Sequence, residues 1–167
     1  MSVAEHRAHS PASVACFVLT VSDSRTLATD TSGRAIAELL TTAGHTIVDR
    51  QVVKDEPADV TRAIRDALEG ATVRAILTTG GTGIAKRDST YEAVTALFEK
   101  RLDGFGELFR MLSYEDIGSA AMLSRATAGV AAGCVIFMLP GSEAAVRLAM
   151  TRLILPELGH IARELIK

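Results

Sequence analysis

Four consecutive residues, Gly80-Gly81-Thr82-Gly83, are the part of this 167-residue chain whose composition most directly implies chemistry. Glycines around a threonine let the backbone approach an anion closely and turn its N–H groups inward. Lys86 and Arg87 stand just downstream and can add positive charge. The spacing of glycine, lysine and hydroxyl is not that of a Walker A motif. The loop therefore reads either as a cradle for a phosphate-bearing small ligand or as a tight turn.

Asp55 and Asp88 are the natural magnesium ligands, because a nucleotide's phosphates need a hard cation held by one or two carboxylates, with water filling the remaining positions. Each also precedes a helix signal, Asp55 before Pro57 and Asp88 before Ser89, where helix capping is the competing use. The other polar groups in non-random positions are Ser22 and Asp23, Ser124 and Arg125, and the turn Pro140-Gly141-Ser142. Ser124 and Arg125 can offer a hydroxyl and a guanidinium to a second anion, or stand in solvent. Tyr114-Glu115-Asp116 reads as an exposed turn, and His45 and His160 read as surface residues. Cys16 and Cys134 each open an apolar run and read as small buried hydrophobes, with no spacing that suits zinc.

These residues need elements to position them. Ala15 to Val21 is a continuous apolar run ending in Ser22-Asp23, the look of a strand buried on both faces. Ile36, Leu39, Leu40 and Ala43 follow at helical spacing, with Gly44 as the stop. The unit repeats with Thr46 to Val53 as a strand, then a helix opened by Pro57, carrying Val60, Ile64, Ala67 and Leu68 on one face and closed by Gly70. A third strand, Val73 to Thr79, runs into the glycine loop. Ser89 and Glu92 then have capping-box spacing ahead of Val94, Leu97 and Phe98.

Beyond Gly104 the rhythm changes. Phe105, Leu108, Phe109 and Leu112 line one face of a short helix, which is expected to pack partly against another subunit. Ser119 to Ala132 is rich in small residues and carries no assignable pattern. Val135 to Leu139 is the last strand, and Pro140-Gly141-Ser142 turns it into a C-terminal helix interrupted at Pro156. Strands alternating with amphipathic helices predict a three-layer α/β/α fold on a mostly parallel, doubly wound sheet. In such sheets ligands bind outside the carboxyl ends of the strands, where all of the singled-out polar groups fall.

Composition narrows the function. The length fits one domain, residues 14–167, burying roughly 70% of its unfolded surface. Eighteen Lys+Arg against 20 Asp+Glu leave a net charge of -2 with no basic patch, which argues against nucleic acid or an anionic membrane as partner. Hydrophobic residues reach 48% but form no run near the ~20 needed to span a bilayer. Met1 to Ser13 has no apolar signal-peptide core and reads as a flexible tail, so a cytoplasmic location is expected.

Six ordered motifs carry a more specific signal: TVSDSR (Thr20 to Arg25), DTSG (Asp30 to Gly33), TTGGTGIAKRD (Thr78 to Asp88), GFGELFRMLSYEDIG (Gly104 to Gly118), SRATAGV (Ser124 to Val130) and LPGS (Leu139 to Ser142). Together they resemble the MoaB/MogA family of molybdenum cofactor biosynthesis proteins over nearly the whole chain after Val14. The GFGELFRMLS block and LPGS are more similar to the MoaB branch.

The resemblance implies a trimeric or hexameric α/β protein that binds molybdopterin and transfers AMP from Mg-ATP to its terminal phosphate, with later hand-over to a molybdenum insertion protein. It places Asp55 and Asp88 in the family's acidic pair at the magnesium and nucleotide site, and Gly80, Gly81, Thr82 and Gly83 in its phosphate loop. Ser22, Asp23, Ser124, Gly141 and Ser142 fall in motifs lining the nucleotide and pterin pockets. A binding-only or scaffold protein of the same family is the alternative reading, and the presence of both carboxylates favours the enzyme. Two departures stand out. Thr90-Tyr91-Glu92-Ala93 has tyrosine where the family's adenylyltransferases commonly have proline. Glu143 follows the LPGS turn, where it suits a helix N-terminus but would repel a nearby phosphate.

Overall fold

The computed structural model describes residues 10–166, so positions 1–9 of the expected tail lie outside them. Five parts of the sequence form the first half of the fold: strand β1 (Ala15–Val21), helix α1 (Thr31–Thr42), strand β2 (Thr46–Val53), helix α2 (Pro57–Glu69) and strand β3 (Ala75–Thr79). A six-residue helix α3 (Thr90–Thr95), a two-residue strand β4 (Lys100–Arg101) and helix α4 (Asp103–Ile117) follow. A 3-10 turn (Gly118–Leu123) leads to the hairpin of β5 (Thr127–Ala131) and β6 (Cys134–Leu139). The chain closes with α5 (Glu143–Ala149), a π-helical turn (Met150–Ile154) and α6 (Leu155–Glu164).

The sheet runs in the order β2-β1-β3-β6-β5-β4. Its first four strands are parallel, while β5 and β4 run antiparallel to their neighbours. The register puts Thr20, Thr79 and Leu139 level, so β1, β3 and β6 deliver their loops side by side at one edge.

Alternation along β1 shows why the sheet is covered on both faces. Cys16 and Val18 join one apolar cluster with Ile36 and Leu40 of α1, Phe109 of α4, and Val146, Ile154 and Leu158 of the C-terminal helices. Phe17, Leu19 and Val21 join the other, with Val60 and Ile64 of α2 and Val94 of α3. Three layers follow, as expected. Truncating a fully buried member such as Ile64 to Ala would cost about 2–5 kcal/mol.

Several expectations need correction. The face of α4 divides: Phe109 and Leu112 are buried in the chain's own core, while Leu108 is exposed together with Met111, Tyr114 and Ile117. The helix is also long, 15 residues, and absorbs Tyr114-Glu115-Asp116, which is exposed but helical rather than a turn. Ser89 forms no side-chain cap; its hydroxyl donates weakly back to the Arg87 carbonyl (3.4 Å), and Glu92 is drawn away to Arg125. His45 is half-buried, its Nδ1 accepting from the Val14 N–H at 3.2 Å, and His160 pairs with Glu157 at 3.0 Å. Residues 10–13, expected as tail, lie against the body: the Ser13 and Thr46 hydroxyls are 3.1 Å apart, and Pro11 abuts Gly159. Among the described residues no helix is long and apolar enough to cross a membrane.

Both cysteines are buried, and burial pushes each thiol up to about 12. A thiol neutral at pH 8 is a poor nucleophile. Native protein at pH 8 should therefore react with a thiol reagent only at the rate of unfolding, and fully in denaturant; rapid labelling of two thiols in the folded state would contradict this burial.

Candidate functional site

The glycine loop leaves β3 under tight constraint. Gly80 has φ +90°, and a β-carbon there would stand 2.2 Å from the Val21 carbonyl oxygen at the end of β1. Gly81 has φ +70°, and a β-carbon would stand 2.9 Å from the Thr90 methyl. Only glycine tolerates both the left-handed backbone and this approach. The Gly80 N–H donates to the Leu139 carbonyl at 3.0 Å, but the N–H groups of Gly81, Thr82, Gly83 and Ile84 donate to no other protein group among the described residues. Four successive amides without a protein acceptor, on partly exposed backbone, can donate to an anion.

The turn after β6 closes the other bank. Thr79 Oγ1 donates to the Pro140 carbonyl at 2.8 Å, and Ser32 Oγ donates to the Gly141 carbonyl at 2.7 Å. Between the two turns lies a cavity of about 480 Å³ lined by Gly80 to Gly83, Ser124 and Pro140 to Ser142. Its apolar wall comes from Phe109, Ile117, Ala120, Leu123 and Ala145. The other surface hollows among the described residues are lined by none of these polar turns. Ser142 also caps α5, accepting from the Ala145 N–H at 3.2 Å, and Glu143 is compensated by Arg147 at 2.8 Å.

The carboxylates gather on the opposite side of the loop. Asp55 Oδ1 accepts from the Thr90 hydroxyl at 2.7 Å, and Thr90 is the buried residue directly behind Gly81. Asp88 Oδ2 accepts from the Ala85 N–H at 2.6 Å and lies against Gly83. Neither is a helix cap, since α2 is capped at Glu56 and α3 begins after Ser89. Ser22 Oγ accepts from the Ser24 and Arg25 N–H groups, folding the loop after β1. Its neighbour Asp23 accepts from the Asp55 N–H at 3.1 Å and from Arg87 at 2.7 Å, linking three loops.

Magnesium suits this donor set. Asp55 and Asp88 each keep one carboxylate oxygen that accepts no protein hydrogen bond among the described residues. Two hard oxygen donors are what Mg²⁺ commonly takes from protein, the rest of its shell being filled by water and by the oxygens of a bound phosphate. Among the described residues there is no group of three or more His, Cys, Asp or Glu placed to hold a metal without such help.

Arg125, expected to meet an anion, is engaged by protein instead. Its Nε donates to the Thr82 carbonyl at 3.2 Å, its Nη2 to the carbonyls of Gly83 and Asp88, the latter at 3.2 Å, and its Nη1 to Glu92. The guanidinium also lies over the Tyr91 ring, 4.4 Å from its centroid. Glu92's own backbone N–H, and next Arg125, hold the Glu92 carboxyl below its ordinary range.

Sequence reasoning left Asp30 without a task. It is fully buried, caps α1 through the Gly33 N–H at 2.9 Å, and accepts from Thr20 Oγ1 at 2.7 Å and from Arg50 at 3.3 Å. An Asp three residues before a glycine at a helix start is a capping signal, so that part was available; the Arg50 pairing spans 20 residues and was not. Thr90 and the apolar cavity wall were likewise missed.

Known proteins resemble the chain over nearly its whole length. A family model described as a probable molybdopterin binding domain matches residues 17–160. The molybdenum cofactor biosynthesis protein B of Halalkalibacterium halodurans is 54% identical over 168 residues, spanning 100% of this chain and 99% of its own. A crystal structure of a molybdenum cofactor biosynthesis protein B superposes with a TM-score of 0.91 at 53% identity, covering 95% of this chain and 99% of that one. The crystal structure of the tungsten cofactor synthesizing protein MoaB from Pyrococcus furiosus gives 0.84 at 38% identity, covering 94% and 99%.

Two glycine substitutions separate shape from binding. Gly80→Ala meets backbone and should lower stability by about 1–3 kcal/mol in a thermal or urea melt. Gly81→Val meets a side chain and should weaken ligand binding by about 1–3 kcal/mol through lost backbone approach. Unchanged nucleotide and pterin affinity of Gly81→Val in calorimetry would reduce the loop to a turn.

Proposed function

Because this chain belongs to the MoaB/MogA family of molybdenum cofactor biosynthesis proteins, we propose that it adenylylates molybdopterin at the terminal phosphate, using Mg-ATP. One observation carries the reading: a run of unpartnered amides on the glycine loop has Asp88 against Gly83 and Asp55 tied to Thr90 behind Gly81, with a cavity lined by the same glycines.

In this reading the cavity between the loop and Pro140-Gly141-Ser142 takes the pterin, whose ring suits the apolar wall of Phe109, Ile117 and Leu123. Its terminal phosphate reaches the amides of Gly81 to Ile84, and ATP lies toward Asp55 and Asp88. An oxygen of the molybdopterin phosphate attacks the α-phosphorus of ATP. A phosphoanhydride forms, the bond from the α-phosphorus to the bridging oxygen breaks, and pyrophosphate leaves with that oxygen. No covalent enzyme intermediate is needed, so the protein's work is positioning and donation of N–H groups to developing charge. Magnesium held by Asp55 and Asp88 would neutralise charge on the triphosphate. Ser22 and Asp23 shape the nucleotide bank, and Ser124, Gly141 and Ser142 shape the pterin bank.

The proposal extends to the whole molecule: one molybdopterin-binding domain over residues 14–167, working in the cytoplasm as a trimer or hexamer and passing its product to a molybdenum insertion protein. The exposed apolar stripe of Leu108, Met111 and Tyr114, continued by Met122, supports assembly, since such a patch is normally covered.

Incubation with molybdopterin, ATP and magnesium should give adenylylated product and pyrophosphate; a binding-only family member would retain pterin and release neither. Asp88→Asn keeps the size and the acceptor for the Ala85 N–H while removing the charge. Its melting temperature should change little, while single-turnover adenylylation falls about a hundredfold or more. Asp55→Asn should act on the same step, and the double variant should lose less than the two effects combined if both serve one metal. A destabilised but fully active Asp88→Asn protein would sink the assignment.

A further inference from the structure

We propose that Arg125, seated on Tyr91 and anchored by Glu92, is the positioning residue that fixes the peptide orientations of the glycine loop. This assignment rests on the loop being the phosphate cradle. In a trans peptide the C=O and the following N–H point in opposite directions, and among the described residues there is no cis bond. Arg125 draws the carbonyls of Thr82 and Gly83 toward itself. The N–H groups of Gly83 and Ile84 are thereby turned away from it, and these are two of the four amides without a protein acceptor.

A guanidinium is suited to this and an ammonium is not. Its planar fork reaches three carbonyls and a carboxylate from one fixed plane, with four of its five N–H directions used. Two neighbours hold that plane. Tyr91 underlies it, and the Tyr91 hydroxyl accepts from Arg101 of β4 at 3.2 Å, so the platform is tied to the sheet edge. Glu92, one residue on, takes Nη1. The Tyr91 ring thus gives the guanidinium an aromatic platform, 4.4 Å from centroid to the guanidinium carbon.

The test uses the full-length protein and three variants, Arg125→Lys, Glu92→Gln and Tyr91→Leu. The first readout is tryptic cleavage at Lys86 and Arg87 in ligand-free protein, below the melting transition. The second is Mg-ATP affinity by calorimetry. A brace predicts that Arg125→Lys raises the cleavage rate about tenfold and weakens Mg-ATP about tenfold, close to 1.4 kcal/mol. Glu92→Gln and Tyr91→Leu should move both readouts the same way by smaller factors. If Arg125 were instead a direct anion ligand, Glu92→Gln would free it, leaving cleavage unchanged and binding equal or tighter; that result overturns the proposal. Should wild-type protein fail to bind Mg-ATP, the nucleotide reading fails and the cleavage rates alone decide the brace. If Arg125→Lys does not fold, Glu92→Gln and Tyr91→Leu decide it, unchanged cleavage in both being the overturning result.

Discussion

A phosphate cradle made of backbone must leave amides unpaired, and unpaired amides are what folding otherwise eliminates. From Gly81 to Ile84 the chain keeps four such groups free, so the surrounding structure must hold the loop by everything except those N–H groups. The Gly80 N–H goes to the Leu139 carbonyl, and the Thr82 and Gly83 carbonyls go to Arg125. Thr90 and Val21 block the space behind Gly81. Arg125 and Thr90 in particular answer to this one requirement.

The sheet order explains why the loop sits where it does. The chain leaves β1 in one direction to form β2 and returns on the other side to form β3, so the connections after β1 and β3 diverge and open a crevice between them. Close approach of Gly80 to the Val21 carbonyl is the floor of that crevice. Its acidic bank is built from loops that follow β1, β2 and β3, joined through Asp23, Asp55 and Arg87. The cavity bank uses the turn after β6 and the elements on the face of α1 and α4. One loop thus separates two environments, acidic and solvated on one side, glycine-rich and apolar on the other.

What could be read from the sequence follows from the range of the forces involved. The ends of β1, β2 and α2 fall where the apolar run before Ser22, Gly44, Pro57 and Gly70 place them, because those signals are local. The glycine loop, Asp55 and Asp88 were legible as types, and their gathering around one loop follows from parallel topology. β5 was not legible: Thr127 to Ala131 carries few bulky residues, and its glycine is set by a distant ring, since a β-carbon at Gly129 would stand 2.3 Å from Phe98. The period of α4 located its apolar stripe but could not say that Phe109 turns inward while Leu108 turns out. The capping box failed for a related reason, as Glu92 is claimed by Arg125 from 33 residues away.

That last conflict shows how the site and the fold bear on each other. A Ser-x-x-Glu box would have given α3 a self-contained start, worth about 1 kcal/mol. Here the helix forgoes it, and the glutamate secures the guanidinium that shapes the glycine loop. The helix is held by other means: Thr90 and Val94 are fully buried, and the Thr90 hydroxyl is tied to Asp55. α3 is therefore short and locally weak, yet three of its first residues face the site in different ways. Thr90 supports Asp55, Tyr91 supports Arg125, and Glu92 holds Arg125 from the solvent side. A proline at position 91 would stiffen the first turn but remove the ring, and with it the contact from β4 through Arg101. In this chain local helix stability has been exchanged for a defined loop, which is the arrangement expected where binding, and not folding, selects the residue.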